Sequence, residues 1–391
     1  MSTFETQTSV NACRPLPART LGTLCACIVV IMLVAGLWPF HQPHNDVTWV
    51  AYTHGVSLGS HGTLLSASTF GLYDLEAQAR CSLEIWLYPY DIRDTGTVLA
   101  FYSSDNIQGL SIRQDRADLV LQVERRDAQR RIITSEITTK NVFRQGTGAL
   151  VTITSGSLGT VVYLDGSIIQ SVPGLRMNRA DLTGQLVVGT SPVQPDSFSG
   201  QLRGLAIYGR ELTAADVLQH YQTWGSNGRP YTSENEQAVS LYLFDEHSGN
   251  VVHNHGSSTV VLSIPEKYTI LHEKFLEPAW KEFHLRWGYW KSALINVGGF
   301  VPFGFVCCAY LSLTKPVNRA ALTTVALGLA ISLTIEVLQS YLPTRDSGTT
   351  DLITNTFGTC LGVMLYRWKP SLVADTLNRI PAIARITAGL R

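Results

Sequence analysis

Charge is scarce in this chain. Only 15% of its 391 residues are Asp, Glu, Lys or Arg, and 30 acidic residues balance 30 basic ones. A protein that grips nucleic acid by its phosphates needs a basic face, and zero net charge argues against one. Cysteine is also sparse where it would matter. Of the seven, Cys25, Cys27, Cys307, Cys308 and Cys360 lie in apolar runs and Cys13 precedes the first of them. Only Cys81 falls in the long middle region, so no disulfide framework staples that region and Cys81 reads as a small buried hydrophobe.

The missing charges leave long gaps. Residues 20–40, 292–314 and 352–366 contain no Asp, Glu, Lys or Arg, and 320–342 contains only Glu336. A helix crosses hydrocarbon with about 20 mostly apolar residues. Three of the gaps reach that length, and Asp351 and Arg367 complete the shorter fourth by snorkelling at its ends. The expectation is an α-helical transmembrane bundle of about four helices, with residues 20–40 as the first and 292–366 holding the other three.

Basic residues set the orientation. Arg14 and Arg19 precede the first span, Lys315 and Arg319 fill one short loop, and Arg367, Lys369, Arg379, Arg385 and Arg391 follow the last span. All fall on the cytoplasmic side if residues 41–291 and loop 343–351 lie outside. The expected location is therefore a cell (inner) membrane, multi-pass, with 41–291 periplasmic or extracellular and 1–19 a cytoplasmic arm. Val34-Ala35-Gly36 also fits a signal-peptidase site, so a cleaved leader and a retained span both stay open.

Between the first two spans the texture changes. SLEIWLYP, TGTVLAFY, ADLVLQVE, ALVTITSG, TVVYLDGSII and LRGLAIYG are short alternating apolar runs punctuated by Gly, Asp and Asn. They read as strands, and so many of them predict an all-β sandwich or jelly roll over 47–265. Asp165-Gly166 is a two-residue hairpin turn. Residues 268–291 crowd Trp280, Phe283, Trp287, Tyr289 and Trp290 before the second span, which predicts an interfacial aromatic linker helix. The tail 370–391 alternates apolar residues with Arg and reads as a cytoplasmic amphipathic helix.

Two resemblances rest on particular residues. NVGGFVPFGF (Asn296–Phe305) and EVLQSYLPTRDSGTTDLITNTFG (Glu336–Gly358) resemble the VanZ-like family of membrane proteins. That family carries Asn-x-x-x-Phe-x-Pro-x-Gly in one helix, Glu-x-x-Gln near a helix end, an Arg-Asp loop and Asp-x-x-x-Asn entering the last helix. The resemblance implies an envelope role, in glycopeptide-antibiotic resistance or in exopolysaccharide or cell-wall handling, and favours retention of the first span. SLEIWLYP, VVYLDG (Val161–Gly166) and GQLRGLAIYGRELTAADVLQHY (Gly200–Tyr221) are similar to the concanavalin A-like, laminin-G-like superfamily. There a Trp strand packs the core, a Tyr-x-Asp-Gly hairpin follows, and the last core strand runs into a helix reading Leu-Thr-x-x-Asp-Val. LYLFDEHSGNVVHNHG (Leu241–Gly256) resembles the strand pair that opens such domains, and its late position implies a rewired edge.

The candidate site follows from helical spacing. Glu336 and Gln339 are three apart and Asp351 and Asn355 four apart, so each pair shares a helix face. Asn296 starts the second span, and Arg345 and Asp346 occupy the loop. These seven residues are the expected membrane polar cluster, because ionisable groups at membrane depth usually survive only where they act. Two readings stay open. Either the cluster binds a polar headgroup, or Glu336 pairs with Arg345 and Asn355 ties two helices together. Pro302, with Gly298, Gly299 and Gly304, is expected to kink the second span, and Gly358 with Gly362 forms a small-residue packing face.

Other constellations are weaker. A retaining glycosidase needs two carboxylates about 5 Å apart, relatives with glucanase activity carry Glu-x-Asp-x-x-Glu, and Glu84 stands alone in its strand. No Ser-His or Cys-His arrangement lies on the outer side. His247, His253 and His255 near Asp245 and Glu246 read as a polar hairpin, and Arg125, Arg126, Arg130 and Arg131 as a solvated tip. No cofactor or metal is assigned. Asp91, Asp94 and Asp105 have oxygens suited to Ca²⁺ but no diagnostic spacing. The expected partners are the lipid bilayer and a glycan or glycolipid, with no nucleic acid. The alternatives are an enzyme or transporter acting through Glu336, Arg345 and Asp351 on a lipid-linked substrate, and a scaffold for another envelope protein.

Overall fold

The short alternating runs of the middle region do form strands, and the charge-free gaps form helices. The computed structural model describes residues 18–71, 80–103, 109–127, 129, 131–227, 238–272, 275–283, 287–345 and 347–368. The chain divides into two compact units, Gln42–Glu273 and the pair of segments Met1–His41 and Lys274–Arg391. The predicted N-terminal arm up to residue 17, the tail 370–391, Arg130, Asp105 and Asp346 lie outside the described residues.

The first unit is a sandwich of two antiparallel sheets. Its strands are β1 (Val47–Trp49), β2 (Val56–Leu58), β3 (Leu64–Ser66), β4 (Cys81–Pro89), β5 (Thr95–Tyr102), β6 (Leu110–Asp115), β7 (Asp118–Arg126), β8 (Ile132–Thr139), β9 (Ala149–Gly156), β10 (Gly159–Leu164), β11 (Ser167–Val172), β12 (Gln185–Val188), β13 (Gly200–Tyr208), β14 (Ser240–Tyr242), β15 (Val251–Val252) and β16 (Leu262–Ser263). One sheet runs β1-β2-β13-β4-β9-β10-β11, with β14 added to β13, and the other runs β15-β16-β3-β12-β5-β6-β7-β8. Leu83, Ile85 and Leu87 of β4 face the inter-sheet core with Val151 and Ile153 of β9. The alternation of β4 turns Glu84, Trp86 and Tyr88 to the other face. Cys81 is buried, and burial pushes its thiol up to about 12. Asp165 and Gly166 take positive φ at the turn between β10 and β11, as expected of a two-residue hairpin.

The rewired edge has a definite form. The segment after the helix feeds both sheets: Leu241 and Tyr242 pair with Ala206 and Leu205 on β13, while β16 pairs with β3 on the opposite sheet. The two ends of the unit meet. Asn45 N–H donates to Glu266 O at 3.1 Å and Tyr268 N–H to Pro43 O at 3.0 Å. Tyr268 is fully buried and its hydroxyl bonds Thr190. It therefore packs inside the sandwich and not in a linker, so the sandwich continues past residue 265. Adjacent ends are what allow a domain to sit within another chain.

On the outer face of the first sheet lies helix α2 (Ala214–Asn227). Thr213 and Asp216 cap it reciprocally: Thr213 N–H donates to the Asp216 carboxylate at 2.8 Å and Asp216 N–H to Thr213 Oγ1 at 3.3 Å. Arg210 adds a 2.9 Å ion pair to Asp216. Burial works against the Asp216 charge, but the Arg210 and Thr213 donors outweigh it and hold the carboxyl below its usual range. The helix buries Val217 and Trp224 against Leu150, Tyr163, Ala206 and Tyr208 as a second small core.

The second unit contains α1 (Ala18–Leu37), the short α3 (Ala279–Glu282), α4 (Trp287–Leu311), α5 (Val317–Gln339) and α6 (Thr349–Trp368). Residues 268–291 are not one linker helix. Among the described residues there, α3 forms one short turn and Trp287, Tyr289 and Trp290 open α4, with Phe283 packed edge-on to the last two. Among the described residues α1, α4 and α5 are long and apolar enough to cross a membrane, and the chain is a membrane protein. α6 has the length of α1 but is richer in Thr and Asn, so it does not share their apolarity. α6 packs closely on α4 through glycine. A Cβ at Gly358, Gly362 or Gly304 would stand 2.2–2.3 Å from the backbone oxygens of Val297, Val301 and Thr359 respectively. Only a hydrogen fits at those three positions, which is the use the small-residue face was expected to have.

Candidate functional site

The membrane polar cluster converges. Asn296 of α4, Glu336 and Gln339 of α5, and Asp351 and Asn355 of α6 all line one cavity of about 230 Å³, closed on its remaining side by Ile31, Met32 and Gly36 of α1. Arg345 lines an adjoining cavity of about 350 Å³ that shares Gln339 and Asp351 as walls. Five of the seven expected residues therefore share one chamber, Arg345 stands next door, and Asp346 lies outside the described residues.

Three of the wall groups are held by part of their hydrogen-bonding capacity. Glu336 is 1% exposed and its Oε2 accepts from Gly348 N–H at 2.9 Å. That places the carboxylate against the start of α6, where unpaired amide groups and the helix dipole favour negative charge. Gln339 Nε2 donates to Gly36 O at 2.7 Å and ties α5 to α1. Asn355 Nδ2 donates to Ser332 Oγ at 2.9 Å and ties α6 to α5. Thr349 N–H and Oγ1 both donate to Glu277 O, and Glu277 N–H to Ser347 O, which fixes the loop before α6. What remains is informative. Among the described residues Asn296 Nδ2, Gln339 Oε1 and Asn355 Oδ1 are buried with no hydrogen-bond partner. Native proteins leave few such atoms, and a cluster of them around one cavity marks a place for water or ligand.

The expected Glu336–Arg345 pairing is not the arrangement found. The Arg345 guanidinium turns to the Trp38 carbonyl, its Nε donating at 3.1 Å with a second bond from Nη2. The expectation that Asn355 links two helices does hold.

The sandwich contains a second concavity, of about 550 Å³. One wall is Trp86 and Tyr88 from β4, and the other is Tyr221, Gln222, Trp224 and Ser226 from α2. Thr147, Leu150 and Asp165 close its end. Trp86 and Trp224 meet edge to face at 6.0 Å. Arg203 stacks over Tyr88 at 4.4 Å. Gly204 admits Trp224, since a Cβ there would stand 1.9 Å from the indole. Trp224 Nε1 is buried and, among the described residues, unpartnered.

Beneath α2 lies a buried polar group that the sequence did not announce. Glu84 is fully buried. Its carboxylate accepts from Thr152 Oγ1 at 3.1 Å and Tyr208 OH at 3.0 Å, and meets His220 Nδ1 at 3.0 Å. Tyr208 stacks on the His220 ring. Glu84 and Trp86 share one face of β4, and His220 and Trp224 share one face of α2. The carboxylate therefore fastens to the sheet the helix that forms one wall of the groove.

The weaker candidates settle into local contacts. Arg125 pairs with Asp181, Arg131 with Asp127 and Asp91 with Arg93. His253 and His255 sit against Glu246 and Asp245 at 3.2 and 3.5 Å. Among the described residues no three His, Cys, Asp or Glu side chains gather as metal ligands.

Comparison with known proteins gives two regional matches. Residues 237–370 match the VanZ/LLP1 family model, and residues 60–218 match that of the concanavalin A-like lectin/glucanases superfamily. The chain thus joins a VanZ-like region to a concanavalin A-like β-sandwich. The first match starts inside the sandwich, at the segment that supplies β14–β16, and omits α1. Among solved structures the chain is similar to a heptameric pentraxin from Limulus polyphemus, with 15% identity, a TM-score of 0.34 and coverage of 58% of this chain and 95% of the other. It is also similar to a candidate carbohydrate-binding protein from Bacteroides ovatus ATCC 8483, with 10% identity, a TM-score of 0.38 and coverage of 57% and 58%. A third likeness is the receptor-binding domain of botulinum neurotoxin C/D mosaic serotype, with 13% identity, a TM-score of 0.34 and coverage of 59% and 58%. The chain spans little more than half the length of the last two. No curated protein matches it.

Proposed function

We propose that this protein is a membrane-anchored recognition protein of the cell envelope whose sandwich binds a glycan or the sugar of a glycolipid. The observation that carries the reading is the groove between β4 and α2. It presents Trp86, Tyr88 and Tyr221 beside Thr147, Asp165, Gln222 and Ser226, with the buried Trp224 behind them. A sugar ring has apolar C–H faces and a rim of hydroxyls, so it needs flat apolar walls and a few placed donors and acceptors. The volume lies within the range of about 300–1,000 Å³ usual for ligand sites. Fold alone does not give this function, because the same sandwich hosts many. A glycan array probed with the detergent-solubilised full-length chain tests it. Selective binding that Tyr221→Ala weakens is expected. Binding to no glycan, or binding unchanged by Tyr221→Ala, would contradict the reading.

In this reading the chain is multi-pass in the inner membrane, Lys315 and Arg319 are cytoplasmic and residues 41–291 are extracytoplasmic, following the placement of basic residues. Trp287 and Trp290, both exposed at the start of α4, form an aromatic belt at the outer interface. The chamber formed by Asn296, Glu336, Gln339, Asp351 and Asn355 is a second ligand site. Its support is the set of three buried polar atoms without partners. A role in glycopeptide resistance or cell-wall handling is the physiological setting this architecture suits. Susceptibility of cells lacking the protein to such antibiotics is the test.

A further inference from the structure

The chamber in the helical unit has a chemical bias that narrows its ligand. This inference rests on the reading that the chamber is a ligand site. Gln339 is 7% exposed. Its Nε2 faces the Gly36 carbonyl, which only accepts, so the amide orientation is fixed and Oε1 is the atom left over. Asn355 is 5% exposed and spends its Nδ2 on Ser332, which leaves Oδ1. Both leftover atoms are acceptors, and both lack a partner among the described residues. The carboxylates of Glu336 and Asp351 stand in the same walls, and no Lys, Arg or His lines the chamber.

The adjoining cavity adds the cation and hydroxyls that the chamber lacks. Arg345 lines it with the hydroxyls of Ser292, Thr344 and Thr350, and Thr344 Oγ1 is buried without a partner among the described residues. The two rooms share Gln339 and Asp351. An acceptor-rich acidic chamber beside a cavity that holds an arginine and these hydroxyls, with Asp351 in the shared wall, is complementary to a zwitterion with a short spacer.

We infer that the chamber binds a primary ammonium group and the adjoining cavity the phosphate attached to it, so that the ligand is of the ethanolamine-phosphate class. An –NH₃⁺ group carries three donors and no acceptor, which matches Gln339 Oε1, Asn355 Oδ1 and the carboxylates. The phosphate oxygens match Arg345 and Thr344 Oγ1 in the adjoining cavity. A quaternary ammonium has the same charge but no N–H, so it leaves the two amide oxygens unsatisfied and costs the difference. Recognition therefore depends on N–H donors as well as on positive charge.

The test uses the full-length protein in nanodiscs holding equal amounts of phosphatidylethanolamine, its N-methyl and N,N-dimethyl forms and phosphatidylcholine. Lipid retained after detergent extraction is counted by native mass spectrometry. Retention should fall with each methyl, by at least about tenfold from the primary to the quaternary amine, the change that one charge-assisted hydrogen bond commands. Glu336→Gln, which keeps the shape and an acceptor for Gly348 N–H, should flatten the series while thermal stability shows the protein folded. Soluble phosphoethanolamine is added as a second arm. If it displaces the lipid, the head group alone is the ligand. If it does not and the enrichment persists, the lipid is. Equal retention of all four lipids would overturn the ammonium assignment and leave the chamber standing as a site of other specificity. Retention of none, with Glu336→Gln changing nothing, would overturn the assignment and the ligand-site reading together.

Discussion

Removing the Glu84 carboxylate should unfasten α2 from the sheet. Glu84→Ala leaves Tyr208 OH and His220 Nδ1 facing an empty space under the helix, with Thr152 as a third group that can rotate away. Glu84 and His220 are 0% and 1% exposed, so water does not replace the lost acceptor without opening the core. Each buried donor left unsatisfied costs about 1–3 kcal/mol, so the two rigid ones together cost about 2–6 kcal/mol. A domain of this size shifts by about 2–4 °C per kcal/mol, which predicts a fall in Tm of about 4–24 °C. The assay is thermal unfolding of a fragment covering residues 42–272, followed by circular dichroism. That fragment should be soluble, β-rich and cooperative, because its ends are hydrogen-bonded to each other. Glu84→Gln retains one acceptor and should fall less. A Glu84→Ala fragment melting within about 2 °C of wild type would refute the claim that the carboxylate holds the helix, since even one orphaned donor exceeds that.

The other perturbations are simpler. Gly362→Leu should collapse the contact between α4 and α6, because even a Cβ there meets the Val301 backbone oxygen at 2.2 Å. Overpacking costs about 1–3 kcal/mol or more, so membrane accumulation should drop severalfold by immunoblot, whereas Gly288→Ala, with open space around it, should not. Asp216 has a folded pKa held below its usual value, so its contribution is present above the unfolded value of about 3.9 and is lost as pH falls through the lowered folded value. Asp216→Asn should cost about 0.5–2 kcal/mol at pH 7 and flatten the acid limb of a stability-versus-pH curve; an unchanged acid limb would refute the capping role. Reporter fusions at Lys315 should report cytoplasm and fusions at Gly146 the outside, and a cytoplasmic signal at Gly146 would overturn the orientation.

What could be read in the sequence is what has a local period. Glu336 with Gln339 and Asp351 with Asn355 are one turn apart, so each pair had to share a face, and both pairs now line one chamber. Gly358 and Gly362 share a face for the same reason. Asp165-Gly166 carries its turn chemistry in two residues. The misses all involve distance. Glu84 and His220 are 136 positions apart and meet only because α2 folds back across the outer face of β4. Arg345 ends on the carbonyl of Trp38, 307 positions away, and a backbone carbonyl has no sequence signature, so the nearest cation after the helix looked like the partner of Glu336. The linker helix expected from its aromatics fails because those residues divide between the short α3 with its C-cap and the first turns of α4. The groove was half visible: strand alternation puts Trp86 and Tyr88 on one face, but only the packing of α2 supplies Tyr221 and Trp224 opposite them.

Glycan binding by the sandwich groove is the central claim, and calorimetry against the best array ligand tests it most directly. Tyr221 is 39% exposed. Covering about two-fifths of a ~200 Å² side chain removes ~80 Å² from water, worth ~2 kcal/mol, or about thirtyfold in affinity. The full-length protein should bind with a defined stoichiometry. Tyr221→Ala should weaken it by about that factor, while Leu158→Ala, which removes an exposed side chain outside the groove, should leave it unchanged. Equal affinity of wild type and Tyr221→Ala would contradict the account.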